Sequence, residues 1–242
     1  MVFNRTVSVM DEDVIRKLVS LNSTFYDRFA EPFSDSRSSP QAGYATLLAC
    51  LPRQSVSVLD VGCGNGRFGR FLIDAGVVES YTGIDSSHLL LEEARKLFPQ
   101  VFYRDLSLAG CLDNFGAYDL IACLSVLQHI PAEANRGRLL SEMAGHLTPG
   151  GRIILANWQF LDSPRQRRKI RPWSEVGIDI SQLEPDDYLL TWMRGGQGHR
   201  YVAYIDETRT RRLADLAGLR ILNHFRSDGL EGNLNLYTVL AR

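Results

Sequence analysis

The chain has 242 residues, 45% of them hydrophobic, and a formal net charge of −1. That length and apolar content bury one large core and require no second domain. The balanced charge excludes the overall basic excess of a dedicated nucleic-acid binder, so any such contact must be local.

Met1 to Met10 contains Asn4 and Arg5 and no apolar h-region, and no later apolar run approaches the roughly 20 residues that span a bilayer. The expectation is a soluble, cytoplasmic protein with no membrane partner. Cys50, Cys63, Cys111 and Cys123 form no C-x-x-C pair and have no histidines at ligand spacing. That pattern argues against a metal site and a disulfide framework, and for small apolar residues in or near the core.

In chain order, Val14, Leu18, Leu21 and Phe25 recur at helical spacing, with Asp11 or Asp13 available as a cap. This predicts a helix over the domain mouth. Ala30 to Pro40 is rich in turn formers and reads as a loop, followed by a helix over Ala42 to Leu51 that ends at Pro52. Val56 to Asp60 reads as a strand, and Phe68, Phe71, Leu72 and Ala75 as the stripe of the next helix. Ser80 to Asp85 is a second strand, Ser86 or Ser87 a cap, and Leu90, Ala94, Leu97 and Phe98 a buried helix face. Val101 to Arg104 and Tyr118 to Leu124 are further strands. Pro131 opens a helix that Thr148-Pro149-Gly150-Gly151 stops, and Ile153 to Trp158 reads as a central, fully buried strand.

Gln159 to Arg200 breaks this rhythm and reads as a long irregular excursion carrying Arg165, Arg167, Arg168, Lys169 and Arg171. Asp206 to Ala217 then predicts a helix, and Leu219 to Phe225 with Leu234 to Leu240 an antiparallel hairpin. The expected fold class is α/β: a Rossmann-like, doubly wound, mostly parallel sheet with a C-terminal antiparallel hairpin. Its parts are a helical cap over 1–54, a core over 55–158, an insertion over 159–205 and a terminal helix and hairpin over 206–242.

The first strand runs into Gly62-Cys63-Gly64-Asn65-Gly66, whose glycines let backbone amides and a helix N-terminus approach a ligand. Arg67 stands where the dinucleotide fingerprint wants a further glycine, so a pyrophosphate is not the obvious guest. Asp60 at the strand end would repel phosphate but hold an ammonium, and Asp85 ending the second strand can accept from ribose hydroxyls. Ammonium, ribose and base together describe S-adenosylmethionine.

Leu59-Asp60-Val61-Gly62-Cys63-Gly64-Asn65-Gly66 resembles the first motif of class I methyltransferases, and Gly83-Ile84-Asp85 the second. The resemblance implies S-adenosyl-L-methionine as cofactor and S-adenosyl-L-homocysteine as product, with Tyr26, Arg37, Asp60, Gly62, Cys63, Gly64, Asp85, Ser86, Asp105, Leu106 and Leu124 in the cofactor site. Asp105 would contact the adenine amino group, and Leu124-Ser125 through Gln128-His129 would line the methyl-donor face.

Phe25-Tyr26-Asp27-Arg28-Phe29-Ala30 followed by Phe33-Ser34-Asp35-Ser36-Arg37 further resembles the tRNA wobble-uridine methyltransferases, which esterify 5-carboxymethyluridine. Val126-Leu127-Gln128-His129, Ala156-Asn157-Trp158, Leu190-Thr191-Trp192, Arg200-Tyr201 and Asn235-Leu236-Tyr237 fall in that family's order. Its paired histidines are here Gln128-His129, and its histidine after Arg-Tyr-Tyr is Ala203. The resemblance implies a tRNA substrate, substrate positioning by His129, Arg37 and Arg200, and a small activator subunit as partner.

His129 reads equally as a backbone-bonding loop residue. Arg37 and Arg200 read as carboxylate clamps or as solvated arginines. The run Arg165 to Arg171 reads as a phosphate track, with Trp158, Trp173 and Trp192 as stacking surfaces, or as a solvated face. A carboxylate acceptor needs no general base; an amine or hydroxyl would make His129 the leading one. The alternative function is a small-molecule carboxyl- or O-methyltransferase acting on an acid.

Overall fold

The computed structural model describes residues 10–37 and 39–242; apart from Met10, the segment read for a targeting signal lies outside them. The first helix, α1, runs Glu12–Asp35, capped by the Asp11 carboxylate accepting from Asp13 N–H at 2.7 Å. It corrects the loop expected over Ala30 to Pro40, because the helix continues through Pro32. Proline removes a helical N–H and crowds the carbonyl four residues back, so the helix bends at Phe29 (φ −116°, ψ 19°) instead of ending. Then α2 (Gly43–Leu48) stops short of the predicted Leu51.

The alternating core follows the sequence closely: β1 (Val56–Val61), α3 (Arg67–Asp74), β2 (Val78–Asp85), α4 (His88–Arg95), β3 (Val101–Tyr103) and β4 (Tyr118–Leu124). Two corrections come next. Helix α5 (Glu133–Gly145) begins two residues after Pro131, behind Ala132 at φ 67°. Strand β5 (Leu147–Trp158) absorbs the segment expected to be a helix stop. That stretch has a shifted register against β4, and a Cβ on Gly151 would lie 3.0 Å from the carbonyl oxygens of Thr148 and Tyr118.

The Gln159 to Arg200 excursion is not irregular. After the short helix α6 (Pro164–Arg167) it folds into a second sheet of β6 (Ile170–Arg171), β7 (Asp187–Trp192) and β8 (Gly198–Ala203), all antiparallel. Its strands hide behind polar neighbours in the sequence, yet cross-strand rows such as Ile170, Leu190 and Arg200 share one face. The chain closes with α7 (Glu207–Leu216), β9 (Arg220–Ser227) and β10 (Asn235–Ala241), the helix and hairpin expected.

The main sheet has the order β3-β2-β1-β4-β5-β10-β9, parallel through β5 and antiparallel where β10 pairs with β5 and β9. Strand residues alternate between two buried faces: Leu59, Ile121 and Leu155 pack against α5, and Val58, Leu120 and Ile154 against residues of α3 and α4. This is the doubly wound arrangement, in which ligands gather at the carboxyl ends of the parallel strands. No helix among the described residues is long and apolar enough to cross a membrane.

Candidate active site

A cavity of about 340 Å³ opens at the carboxyl ends of β1, β2 and β4, roofed by the end of α1. The residues expected in the cofactor site and for substrate positioning line it: Tyr26, Arg37, Asp60, Gly62, Cys63, Gly64, Asp85, Ser86, Asp105, Leu106, Leu124, His129 and Arg200; the basic run Arg165 to Arg171, Trp173 and Trp192 do not. The glycine turn makes the floor. Gly62 has φ +75°, and a Cβ there would sit 2.1 Å from Val126 Cγ2, so only glycine lets the turn pass that close to the loop after β4.

Two carboxylates face the cavity from neighbouring strand ends. Asp60 is 2% exposed and accepts from the Tyr81 hydroxyl at 2.8 Å. Burial, with some help from Asp85, pushes its carboxyl up to about 7 against the opposing Tyr81 hydrogen bond. Asp85 accepts from the amides of Gly64 and Ser87, both at 2.8 Å, and so pins the glycine turn to β2; burial raises it as well. Asp105 lines the cavity and also accepts from the amide and hydroxyl of Ser107, so it terminates a turn there. Ser86 Oγ donates to the Arg104 carbonyl and accepts from Leu106 N–H.

His129 is held at both nitrogens. Its Nδ1 lies 3.1 Å from the carbonyl oxygen of Tyr201, which can only accept, so Nδ1 carries the proton and Nε2 accepts from the Tyr26 hydroxyl at 3.1 Å. Burial, then the charge of Arg200, depresses the imidazole to about 3. His129 is therefore a neutral residue that aims Tyr26 into the cavity. Asn22, buried on α1, completes this wall by bonding the N–H and C=O of Tyr201 and the C=O of His129.

Arg200 is 5% exposed, with its guanidinium carbon 5.1 Å from the ring centre of Trp158, 5.2 Å from that of Phe25 and 5.7 Å from that of Trp192. Its Nε is buried without a hydrogen-bond partner, and the side chain forms no ion pair among the described residues. Arg37 lies 3.4 Å over the Phe33 ring and donates to Ser36 Oγ at 2.8 Å. Burial and the nearby Arg200 bring it down to about 9, still cationic at neutral pH. Phe33 in turn packs against Trp192 at 6.2 Å, so the two arginines share one aromatic wall. Trp173, read as a stacking surface, instead sits in the core near Tyr201, and Arg171 is paired with Glu175. Cys63, Cys111 and Cys123 are buried free thiols, while Cys50 is half-buried.

Residues 58–151 match the family model described as a methyltransferase domain. A putative methyltransferase of Encephalitozoon cuniculi is 28% identical over 204 residues, covering 83% of this chain and 87% of that protein. A tRNA (carboxymethyluridine(34)-5-O)-methyltransferase of Arabidopsis thaliana is 30% identical over 55% of this chain and 31% of its own length. A trans-aconitate 2-methyltransferase of Azoarcus sp. is 31% identical over 60% of this chain and 54% of its own. The chain thus spans about half or less of the last two proteins. The crystal structure of an S-adenosylmethionine-dependent methyltransferase from Clostridium acetobutylicum superposes with a TM-score of 0.61 at 15% identity, covering 94% of this chain and 96% of that one.

The fold is that of the class I methyltransferases. With the glycine turn, the paired strand-end carboxylates and the methyltransferase-domain match, this chain is a methyltransferase that depends on S-adenosylmethionine. The donor set fits that cofactor. Asp60 uses one oxygen on Tyr81 and has the other for an ammonium, Asp85 retains lone pairs for ribose hydroxyls, and Arg37 and Arg67 line the same cavity for a carboxylate.

Sequence reasoning missed Asn22 and Tyr81. A polar Asn in register with Leu18 and Phe25 on the buried stripe of α1 was the available signal for Asn22. Tyr81 gave none, since its partner Asp60 lies on another strand.

Proposed function

We propose that the methyl acceptor is a carboxylate, and that it belongs to a carboxymethyl-modified uridine in tRNA. The observation that carries this reading is Arg200: a buried guanidinium, caged by three rings and lacking an anionic partner among the described residues, at the wall of the cavity. An unpaired buried charge is costly, and a ligand carboxylate supplies the bidentate partner it lacks. Arg37, across the Phe33–Trp192 wall, provides a second cation for the same anion or for the cofactor's carboxylate.

Bound S-adenosylmethionine supplies a methyl group on a positively charged sulfur. The chain then has only to align the acceptor oxygen with that carbon, which is the entropic part of catalysis. A carboxylate is already ionised at neutral pH, so no proton is abstracted and neutral His129 has no acid–base duty. Arg200 and Arg37 orient the acceptor, and Tyr26, its proton committed to His129, presents oxygen lone pairs to the cavity. The hydrophobic rings around Arg200 exclude water and so strengthen the ion pair.

The tRNA assignment is supported by the carboxymethyluridine methyltransferase among the relatives, which aligns with 55% of this chain, and by the order of the short motifs between Phe25 and Tyr237. Purified protein is incubated with labelled cofactor and tRNA from cells lacking this modification, and nucleosides are analysed. A base-labile methyl ester on the uridine is expected; label in small acids alone would sink the tRNA reading. The second reading, a small-molecule acid methyltransferase, is favoured by one observation: the trans-aconitate relative matches with comparable identity. It predicts that free tricarboxylates compete for Arg200.

A further inference from the structure

Cations elsewhere on this chain are commonly neutralised: Arg70 by Asp74, Arg138 by Glu142, Arg171 by Glu175, Arg212 by Glu133. Four on the segments gathered beside the cavity wall, just outside its lining, are not. Arg28, Arg165, Arg168 and Arg194 are exposed and form no ion pair among the described residues. They come from three separate segments that the fold draws together. The turn joining β7 to β8 lies on the end of α1: a Cβ on Gly195 would touch Pro32 at 2.9 Å, and one on Gly196 would lie 3.9 Å from the Arg28 guanidinium. The segment after α6 joins the same hairpin, since Thr191 N–H donates to the Lys169 carbonyl at 2.8 Å. Burial and then the charges of Arg200 and Arg165 lower Lys169, as expected for a cation in this crowd. At the tip, Met193 is 71% exposed beside Trp192, which forms part of the Arg200 cage.

We propose that this rim is a docking surface for single-stranded RNA, with Arg28, Arg165, Arg168 and Arg194 on phosphates flanking the acceptor nucleotide and Met193 against an unstacked neighbouring base. The inference rests on the tRNA reading above and adds the surface that reading needs. A base must leave its stack to bring its substituent into a cavity at the strand ends, and that exposes its neighbours' phosphates and ring faces to the rim. Arg171, part of the same basic run, is excluded by its bond to Glu175.

The test compares wild type with the triple variant Arg165→Ala, Arg168→Ala, Arg194→Ala on two acceptors: the free nucleoside 5-carboxymethyluridine and an anticodon stem-loop RNA containing it. Three single-strand phosphate contacts give a log–log salt slope of about −2, or about 20-fold in affinity between 50 and 200 mM salt. The variant is expected to raise KM for the stem-loop at least tenfold at 50 mM salt, flatten that slope, and leave methylation of the nucleoside unchanged. Equal KM and equal slope for both proteins overturn the docking surface, as does an equal loss on both acceptors. If wild type methylates neither acceptor, the tRNA reading has failed. The surface is then decided by anisotropy of the labelled stem-loop against salt, where identical binding by variant and wild type overturns it.

Discussion

Asp60 couples the cofactor site to pH. Its carboxyl, pushed up to about 7 by burial, is part-protonated in the empty site at neutral pH, and a bound ammonium favours the ionised form. Cofactor affinity should therefore fall as pH drops below about 7, approaching tenfold per unit, and calorimetry between pH 5.5 and 8 measures it. Asp60→Asn should bind weakly with little slope. Because this carboxyl is raised in the folded state, the stability it contributes without ligand is greatest at acid pH and lost as pH rises through about 7. At the acceptor end, Arg200→Met should lower kcat/KM about 100-fold, the scale of one lost charge-assisted contact, while cofactor affinity stays within about twofold. A matching loss of cofactor binding would move Arg200 out of the acceptor site. His129, held near 3, should add no break near pH 6.5 to the rate profile. The sequence displayed Asp60 and Asp85 openly, because a carboxylate ending an apolar strand is conspicuous. It concealed the cage around Arg200, whose rings come from positions 25, 158 and 192 and meet only through the fold.

At the scale of elements, α1 and the second sheet are joined by Asn22, whose amide spans the Tyr201 backbone and the His129 carbonyl. Asn22→Leu keeps the volume roughly but strands the Tyr201 N–H in the interior. A loss of about 2–3 kcal/mol is expected, a fall of about 4–12 °C in Tm for a chain of this size. Thermal unfolding with and without cofactor would check it, and an unchanged Tm would mean that water or a shift of α1 satisfies those groups. The strands and helices of the core were legible because apolar runs and glycine stops repeat regularly there. The extension of α1 past Ala30 was not: the turn formers Pro32, Ser34 and Asp35 are tolerated because the bend at Phe29 relieves the proline. Nor was the second sheet, whose short strands sit among arginines and glycines.

Across the whole molecule, the two sheets are tied by a buried charge network under the site. Arg136, 1% exposed on α5, pairs with Glu184 and bonds the Ile130 carbonyl and the Tyr201 hydroxyl, which donates to Asp187. Glu184→Ala leaves that guanidinium with a weaker set of partners in the interior. About 3–5 kcal/mol of stability should be lost, seen as a lower denaturation midpoint with the m-value retained. A loss below about 1 kcal/mol would show that Asp187 takes over the charge.

The last turn of α1 carries a kinetic implication. Ser34 accepts from Asn65 of the glycine turn at 2.9 Å, while its neighbour Phe33 packs against Trp192 of the wall around Arg200. One short segment is thus shared by both ligand halves, so the acceptor, once seated, blocks the route to the floor. Turnover should be ordered, with the cofactor first to arrive and its demethylated product last to leave. S-adenosylhomocysteine would then inhibit competitively against the cofactor and the ester product would not; a symmetrical, random inhibition pattern would show that the helix yields to either molecule.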